Sequence, residues 1–244
     1  MADLIKQNIA EVRTRLEQDI SPVNITGLSG TALPYFFSKF LEDIGKPCLA
    51  ILPSQKEADR LYEELSFFMS DRAAIELSRT PRLYEFPPYD LTPLTGLSPD
   101  IEVVIRRLKS LYALITEQNP VIITSLEAVF LKTLPKEAFV NSLDYLEAGE
   151  DLDREVFIRK IEAAGYQRSS LVEEKGDYSV RGGVIDLFSP LYPLPIRLEF
   201  WGDRIESIRQ FDPLNQRSQS FLKEIVLLPA AEVIMGRENI KRAR

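Results

Sequence analysis

Histidine is absent from this 244-residue sequence and cysteine occurs once. The first absence removes the commonest general base and metal ligand, which argues against hydrolase triads, zinc sites and acid-base catalysis together. No catalytic residue and no metal site is expected. The second excludes a disulfide framework, and Cys48, inside the apolar run Pro47-Cys-Leu-Ala-Ile-Leu52, reads as a small buried hydrophobe. Long apolar runs are missing too. No stretch approaches the roughly 18 uncharged residues a membrane span needs, and Ala2-Asp3-Leu4-Ile5-Lys6-Gln7 lacks the apolar segment of a signal peptide. A cytoplasmic chain without membrane contact is the expectation. Positive charge is also short: 30 Lys and Arg stand against 37 Asp and Glu, a net charge of −7. That sign disfavours nucleic acid as the main partner of this piece.

What the sequence does have is 45% hydrophobic residues, enough for one large or two ordinary domains. Helix and strand signals alternate through its first part. Leu4, Ile5, Ile9, Val12 and Leu16 recur at helical spacing and predict a helix over 3–19. A short strand (23–25), the loop Gly27-Leu-Ser-Gly30, a helix (31–44), a strand (48–52) and a helix (55–69) follow, the order of a βαβα unit with a parallel sheet. The prolines of Tyr84-Glu-Phe-Pro-Pro-Tyr-Asp-Leu-Thr-Pro93 predict an ordered surface loop. After it come a helix (100–116), a buried strand (120–124) and a short helix (126–131) with Ser125 as its N-cap. Pro135 and a polar turn near Asn141 then break the pattern, and a domain boundary is placed at 142.

Beyond that point the character changes. One helix (151–164) precedes β-rich segments from 171 to 228, an α+β domain with an antiparallel sheet. The division predicted is 1–142, 143–229, and a segment 230–244 that returns to the first domain. That last segment stops in Ile240-Lys-Arg-Ala-Arg244 without Gly or Pro, so the chain reads as cut from something longer.

The loop Gly27-Leu28-Ser29-Gly30-Thr31-Ala32-Leu33-Pro34 stands where a P-loop would cradle phosphates. The pattern G-x-x-x-x-G-K-[ST] needs glycine at 32, lysine at 33 and a hydroxyl at 34. Ala32, Leu33 and Pro34 supply none of them, and the strand Val121-Ile-Ile-Thr124 ends without the aspartate of a Walker B motif. The expected fold is therefore a degenerate P-loop NTPase-like parallel sheet with an inserted antiparallel α+β domain, and no nucleotide is expected to bind.

Two β motifs remain. Gly182-Gly183 interrupt a strand beside Arg181 and permit a bulge or a close backbone approach; Arg181 is free to project outward or to pair with Asp177 or Asp186. In Pro195-Ile-Arg-Leu-Glu-Phe-Trp201 the residues alternate at period two, with Gly202-Asp203 as a hairpin turn, which sets Trp201 opposite Arg204 and Glu199 opposite Glu206. The alternation slips at Ile208-Arg209, as a bulge or as the strand's end. A Trp flanked by arginines has the composition of an interface hot spot; cover by a neighbouring domain or by the Arg204 stem is the alternative.

Gly176-Asp-Tyr-Ser-Val-Arg-Gly-Gly-Val-Ile-Asp-Leu-Phe188, Pro195-Ile-Arg-Leu-Glu-Phe200, Glu206-Ser-Ile-Arg-Gln-Phe-Asp-Pro213 and Asn215-Gln-Arg-Ser218 resemble, in order and spacing, the UvrB-homology module. Phe86-Pro-Pro-Tyr-Asp-Leu-Thr-Pro93 and Ile105-Arg-Arg-Leu-Lys-Ser-Leu111 extend the likeness upstream. The version of that module found in bacterial transcription-repair coupling factors, the Mfd family, is the better match. UvrB's intact P-loop is missing, and residues 84–101 are too few and too poor in tyrosine for its long damage-probing hairpin. The resemblance implies a module of domains 1A, 2 and 1B that recruits UvrA in transcription-coupled nucleotide excision repair. It places UvrA contacts on Arg181, Arg197 and Trp201. It further implies no cofactor here: ATP and magnesium belong to motor domains elsewhere in such proteins. RNA polymerase and DNA would be bound through other regions, and this module would contact the protein's own C-terminal part. The competing reading is a UvrB-type ATP-dependent helicase subunit that binds damaged DNA, against which residues 32–34 argue.

Overall fold

The computed structural model describes residues 2–73, 82–89 and 99–232. They fall into two compact units, one made of residues 1–88 and 110–131 and the other of 89–109 and 132–244.

The first unit opens with α1 (Ala2–Glu17) and continues through α2 (Ala32–Ile44), β1 (Cys48–Leu52), α3 (Gln55–Ala73) and β2 (Leu83–Phe86). It ends with the last part of α4 (Ile101–Thr116), then β3 (Val121–Ser125) and α5 (Leu126–Phe130). Three strands form a parallel sheet in the order β1-β3-β2. A central parallel strand has both faces covered and so reads as a continuous apolar run, and all five residues of β3 are buried. Val121 and Ile123 join Leu41 of α2 and Ala58, Leu61, Leu65 and Met69 of α3 in one core. Ser125 caps α5 as expected, its hydroxyl accepting from the Ala128 N–H at 3.3 Å.

Two readings of this part are corrected. Residues 23–25 form no strand: Ile25 is exposed, and the segment from 20 to 29 is irregular. Residues 84–86, expected within a loop, belong to the strand Leu83–Phe86, paired in parallel with β3. Its prolines begin only at Pro87, so all four of its residues keep an N–H for the ladder. The remainder of the expected loop, 90–93, lies outside the described residues.

The second unit holds the first part of α4, α6 (Lys136–Asn141), β4 (Asp144–Glu147), α7 (Arg154–Ala163) and β5 (Gln167–Arg168). It continues through β6 (Asp177–Arg181), β7 (Val184–Leu187), β8 (Ile196–Trp201), β9 (Arg204–Phe211), β10 (Ser218–Leu222) and β11 (Glu224–Leu227). The main sheet runs β10-β9-β8-β7-β6-β5, antiparallel except for the parallel β5–β6 pair, while β4 and β11 pair with each other. α7 starts where Asp153 accepts from the Val156 N–H at 2.9 Å. Its Phe157 and Ile161 pack on the inward residues of the sheet, Tyr178, Ile185, Leu187, Ile196, Leu198, Ile205 and Ile208. The short helix α6 and the strands β4 and β5 escaped the sequence pattern. Within α4 a fully buried Arg107 is held by Glu232 at 2.5 Å and lies over the Tyr89 ring at 4.4 Å. Most of the expected final segment, 233–244, lies outside the described residues.

Candidate functional site

Two places were marked by the sequence. At the first, Gly27 and Gly30 take φ of 81° and 55°, and the loop reaches α2 without a side-chain cap at Thr31. The Ala32 N–H is committed to the Ser29 carbonyl at 3.1 Å and Pro34 has no N–H to offer. Leu28, Gly30, Leu33 and Pro34 floor a cavity of about 210 Å³, smaller than the roughly 300–1,000 Å³ of ordinary ligand sites. Glu57, Arg60 and Glu64 also line it, and Arg60 is tied to Glu64 at 2.9 Å. A phosphate there meets one spent cation and two carboxylates.

The second place is the face of the six-stranded sheet turned away from α7. Strand alternation sends Ile196, Leu198 and Phe200 inward and Arg197, Glu199 and Trp201 outward. The Gly182-Gly183 pair forms the β6–β7 turn, since Arg181 pairs with Val184. Gly182 supplies a φ of 57°, and a Cβ on Gly183 would stand 2.9 Å from the Phe200 carbonyl oxygen. Close backbone approach is thus one reason for glycine here.

Arg181 and Arg197 converge on one carboxylate. Asp186, only 1% exposed, accepts from Arg181 Nη2 at 2.7 Å, from Arg197 Nε at 2.7 Å and from Arg197 Nη2 at 2.9 Å. The Arg197 guanidinium also lies 4.6 Å from the Phe211 ring centre and donates to the Gln216 carbonyl. Its hydrogen bonds to Asp186 push its pKa further up, against the opposing effect of burial, so its charge is fixed at every physiological pH. The three marked residues differ in access: Arg197 is 17% exposed, Arg181 50% and Trp201 80%. Arg197 therefore presents little more than an edge to solvent, whereas Arg181 and Trp201 stand clear. With about 3.3 Å per residue, Trp201 lies roughly 13 Å along the strand from Arg197 on the same face.

Trp201 pairs with Arg204 as expected, but Glu199 pairs with Ser207, because a bulge intervenes between Glu199 and Phe200. Glu206 becomes the extra residue, β9 runs on to Phe211, and Arg209 faces Arg197 across the strands. That bulge creates contacts the sequence did not reveal: Glu199 accepts from Arg209 Nη2 and from the Ser207 hydroxyl, both at 2.7 Å. The sequence offers Asp186 only as one possible pair for Arg181, beside Asp177; that it serves two arginines depends on the register of β7 against β8.

Residues 145–232 match the model of the UvrB interaction domain family. The chain is similar to the transcription-repair-coupling factor of Myxococcus xanthus, 37% identical over 91% of this chain and 18% of that protein. It is 32% identical to the Escherichia coli (strain K12) transcription-repair-coupling factor over 84% of this chain and 17% of that protein. It is also 31% identical to the UvrABC system protein B of Thermosipho africanus, over 90% of this chain and 34% of that protein. The chain thus spans under a fifth of the coupling factors and about a third of the UvrB relative.

Proposed function

We propose that the chain, whose residues 145–232 match the model of the UvrB interaction domain family, recruits UvrA in transcription-coupled nucleotide excision repair, by protein contact and without catalysis of its own. The observation that carries this reading is the outward face of β6–β8. There a half-exposed Arg181 and a fully projecting Trp201 flank an arginine already fixed by Asp186, and the face lies inside the matched segment. Arginines pinned before binding lose little entropy when a partner's carboxylates arrive, and an exposed Trp offers a large rigid surface to an apolar pocket. The degenerate loop supports the absence of ATP turnover, since its cavity offers carboxylates where a triphosphate needs cations. RNA polymerase, DNA and the ATP-driven motor are assigned to regions outside these residues, and an intramolecular contact with the rest of the protein remains part of the proposal.

The test is calorimetric titration of purified UvrA into the 244-residue chain and its variants, with circular dichroism confirming the fold of each. Trp201→Ala is expected to weaken binding about 30-fold or more and Arg181→Ala about tenfold, whereas Arg159→Ala on the exposed side of α7 changes it by less than about fivefold. Arg197→Ala belongs in the series, read together with its stability because it strips Asp186 of a partner. Equal affinities for all four would refute the assignment of this face.

A further inference from the structure

On the same outward face, one strand further out, a second arginine and aromatic ring are stacked. Phe221 lies on the edge strand β10 and is 73% exposed, the one large apolar side chain in Ser218-Gln-Ser-Phe-Leu222 that points into solvent. A single exposed phenyl ring is common and explains nothing. This one is held. The Arg209 guanidinium lies 4.6 Å from its ring centre, and Arg209 is itself fixed by Glu199 at 2.7 Å and by the Ser207 hydroxyl at 3.2 Å. The arrangement repeats that of Arg197, which lies over Phe211 at 4.6 Å and is held by Asp186. In the register of the sheet Phe221 faces Arg209, and Arg209 faces Arg197. At about 4.8 Å per strand, Phe221 therefore sits roughly 10 Å from Arg197.

We infer that Phe221 and Arg209 form a second docking point for the partner proposed above, extending its contact surface from β6–β8 to β10. This rests on the reading of the β6–β8 face as the UvrA-recruiting surface. The occupant is a segment of that same partner that carries an apolar side chain beside a carboxylate. The apolar group covers the open side of the Phe221 ring, and the carboxylate meets Arg209 Nη1, which has no partner among the described residues. Continuity with the proposed face argues for that occupant: a ligand reaching Arg181 and Trp201 across three strands has its next contact on β9 and β10. A stacked, ion-paired arginine keeps its geometry before binding, so its contribution is not spent on ordering.

The experiment titrates purified UvrA into the 244-residue chain carrying Phe221→Ala, Trp201→Ala, both together, or Phe130→Ala, a comparably exposed aromatic of the first unit. Sedimentation of each variant at the same concentrations reports self-association. Phe221→Ala is expected to weaken binding about tenfold with Phe130→Ala unchanged, the size of one hot-spot contact. If Trp201→Ala weakens binding tenfold or more while Phe221→Ala stays within twofold of the parent, the second docking point is overturned and the recruiting face stands. If neither changes affinity, the recruiting face falls and the inference falls with it. If Phe221→Ala abolishes self-association of the chain and leaves UvrA affinity within twofold, the ring serves a second copy of the chain and the inference is likewise overturned.

Discussion

A carboxylate removed from water costs several kcal/mol unless its lone pairs are taken up by charged donors, and at Asp186 three guanidinium N–H groups do so. The same residue therefore acts twice, keeping the outer face of β7 and β8 folded and setting where two arginines point. Removing it leaves the largely covered Arg197 without its counter-charge, whereas the half-exposed Arg181 swings into water at little cost. Uncompensated buried charges cost about 3–5 kcal/mol, and partial access of Arg197 to solvent places Asp186→Ala near the low end, about 3 kcal/mol. Urea unfolding followed by circular dichroism measures it. Asp186→Asn is expected to cost less, because the amide oxygen still accepts one of the bonds. If Asp186→Ala unfolds at the parental midpoint, the pair contributes nothing to the fold and the arginines are not pinned.

At the level of elements, legibility in the sequence followed the strength of the periodic signal. The helices α1, α2, α4 and α7 and the strands β1 and β3 were readable because each shows a clean helical stripe or a continuous apolar run. So was the outward placing of Arg197 and Trp201, since the period of two around Gly202-Asp203 admits one assignment of faces. What was hidden depends on partners far away in the chain. β2 and β4 are four residues long, and their pairing with β3 and β11 is a tertiary event. The bulge at Glu206 has no local marker other than the slip at Ile208-Arg209, yet it turns Ile208 inward and Arg209 outward and so decides half the candidate site. Residues 23–25 differ for the opposite reason: Val23 and Ile25 are β-formers on either side of Asn24, but with no neighbouring strand the segment stays irregular. The glycine loop after them consequently lacks the preceding strand of a phosphate-binding turn. The same element yields a prediction: magnesium-ATP titrated calorimetrically into the chain to millimolar concentration is expected to give no saturable heat. A magnesium-dependent affinity in the micromolar range would contradict the assignment of this loop as degenerate.

For the molecule as a whole, the question is which stretch of chain carries its own stability. The largest described core cluster of the second unit is drawn from residues between Leu146 and Ala230. The strands at the two ends of that stretch, β4 and β11, pair with each other through four residues each. A segment whose ends are hydrogen-bonded together and whose core is contiguous has the anatomy of an inserted domain. Residues 143–229, expressed alone, are accordingly predicted to unfold in urea in one cooperative transition, with a slope of about 1 kcal/mol/M appropriate to a small domain. The cut at 229 is not free of cost, however. The Ala230 N–H donates to the Ala164 carbonyl at 2.9 Å, Ala230 is buried in the core, and Ala231 packs against the backbone of Gly165, where no Cβ would fit. Extending the segment to 232 restores that hydrogen bond, worth about 1 kcal/mol, together with a buried methyl group worth somewhat less than 1 kcal/mol. The longer segment should therefore be more stable by about 1–2 kcal/mol at an unchanged slope. A non-cooperative, sloping transition in both segments would mean that residues 89–109 are needed to complete the fold. Equal midpoints for the two would mean that the contacts of Ala230 and Ala231 are incidental to it.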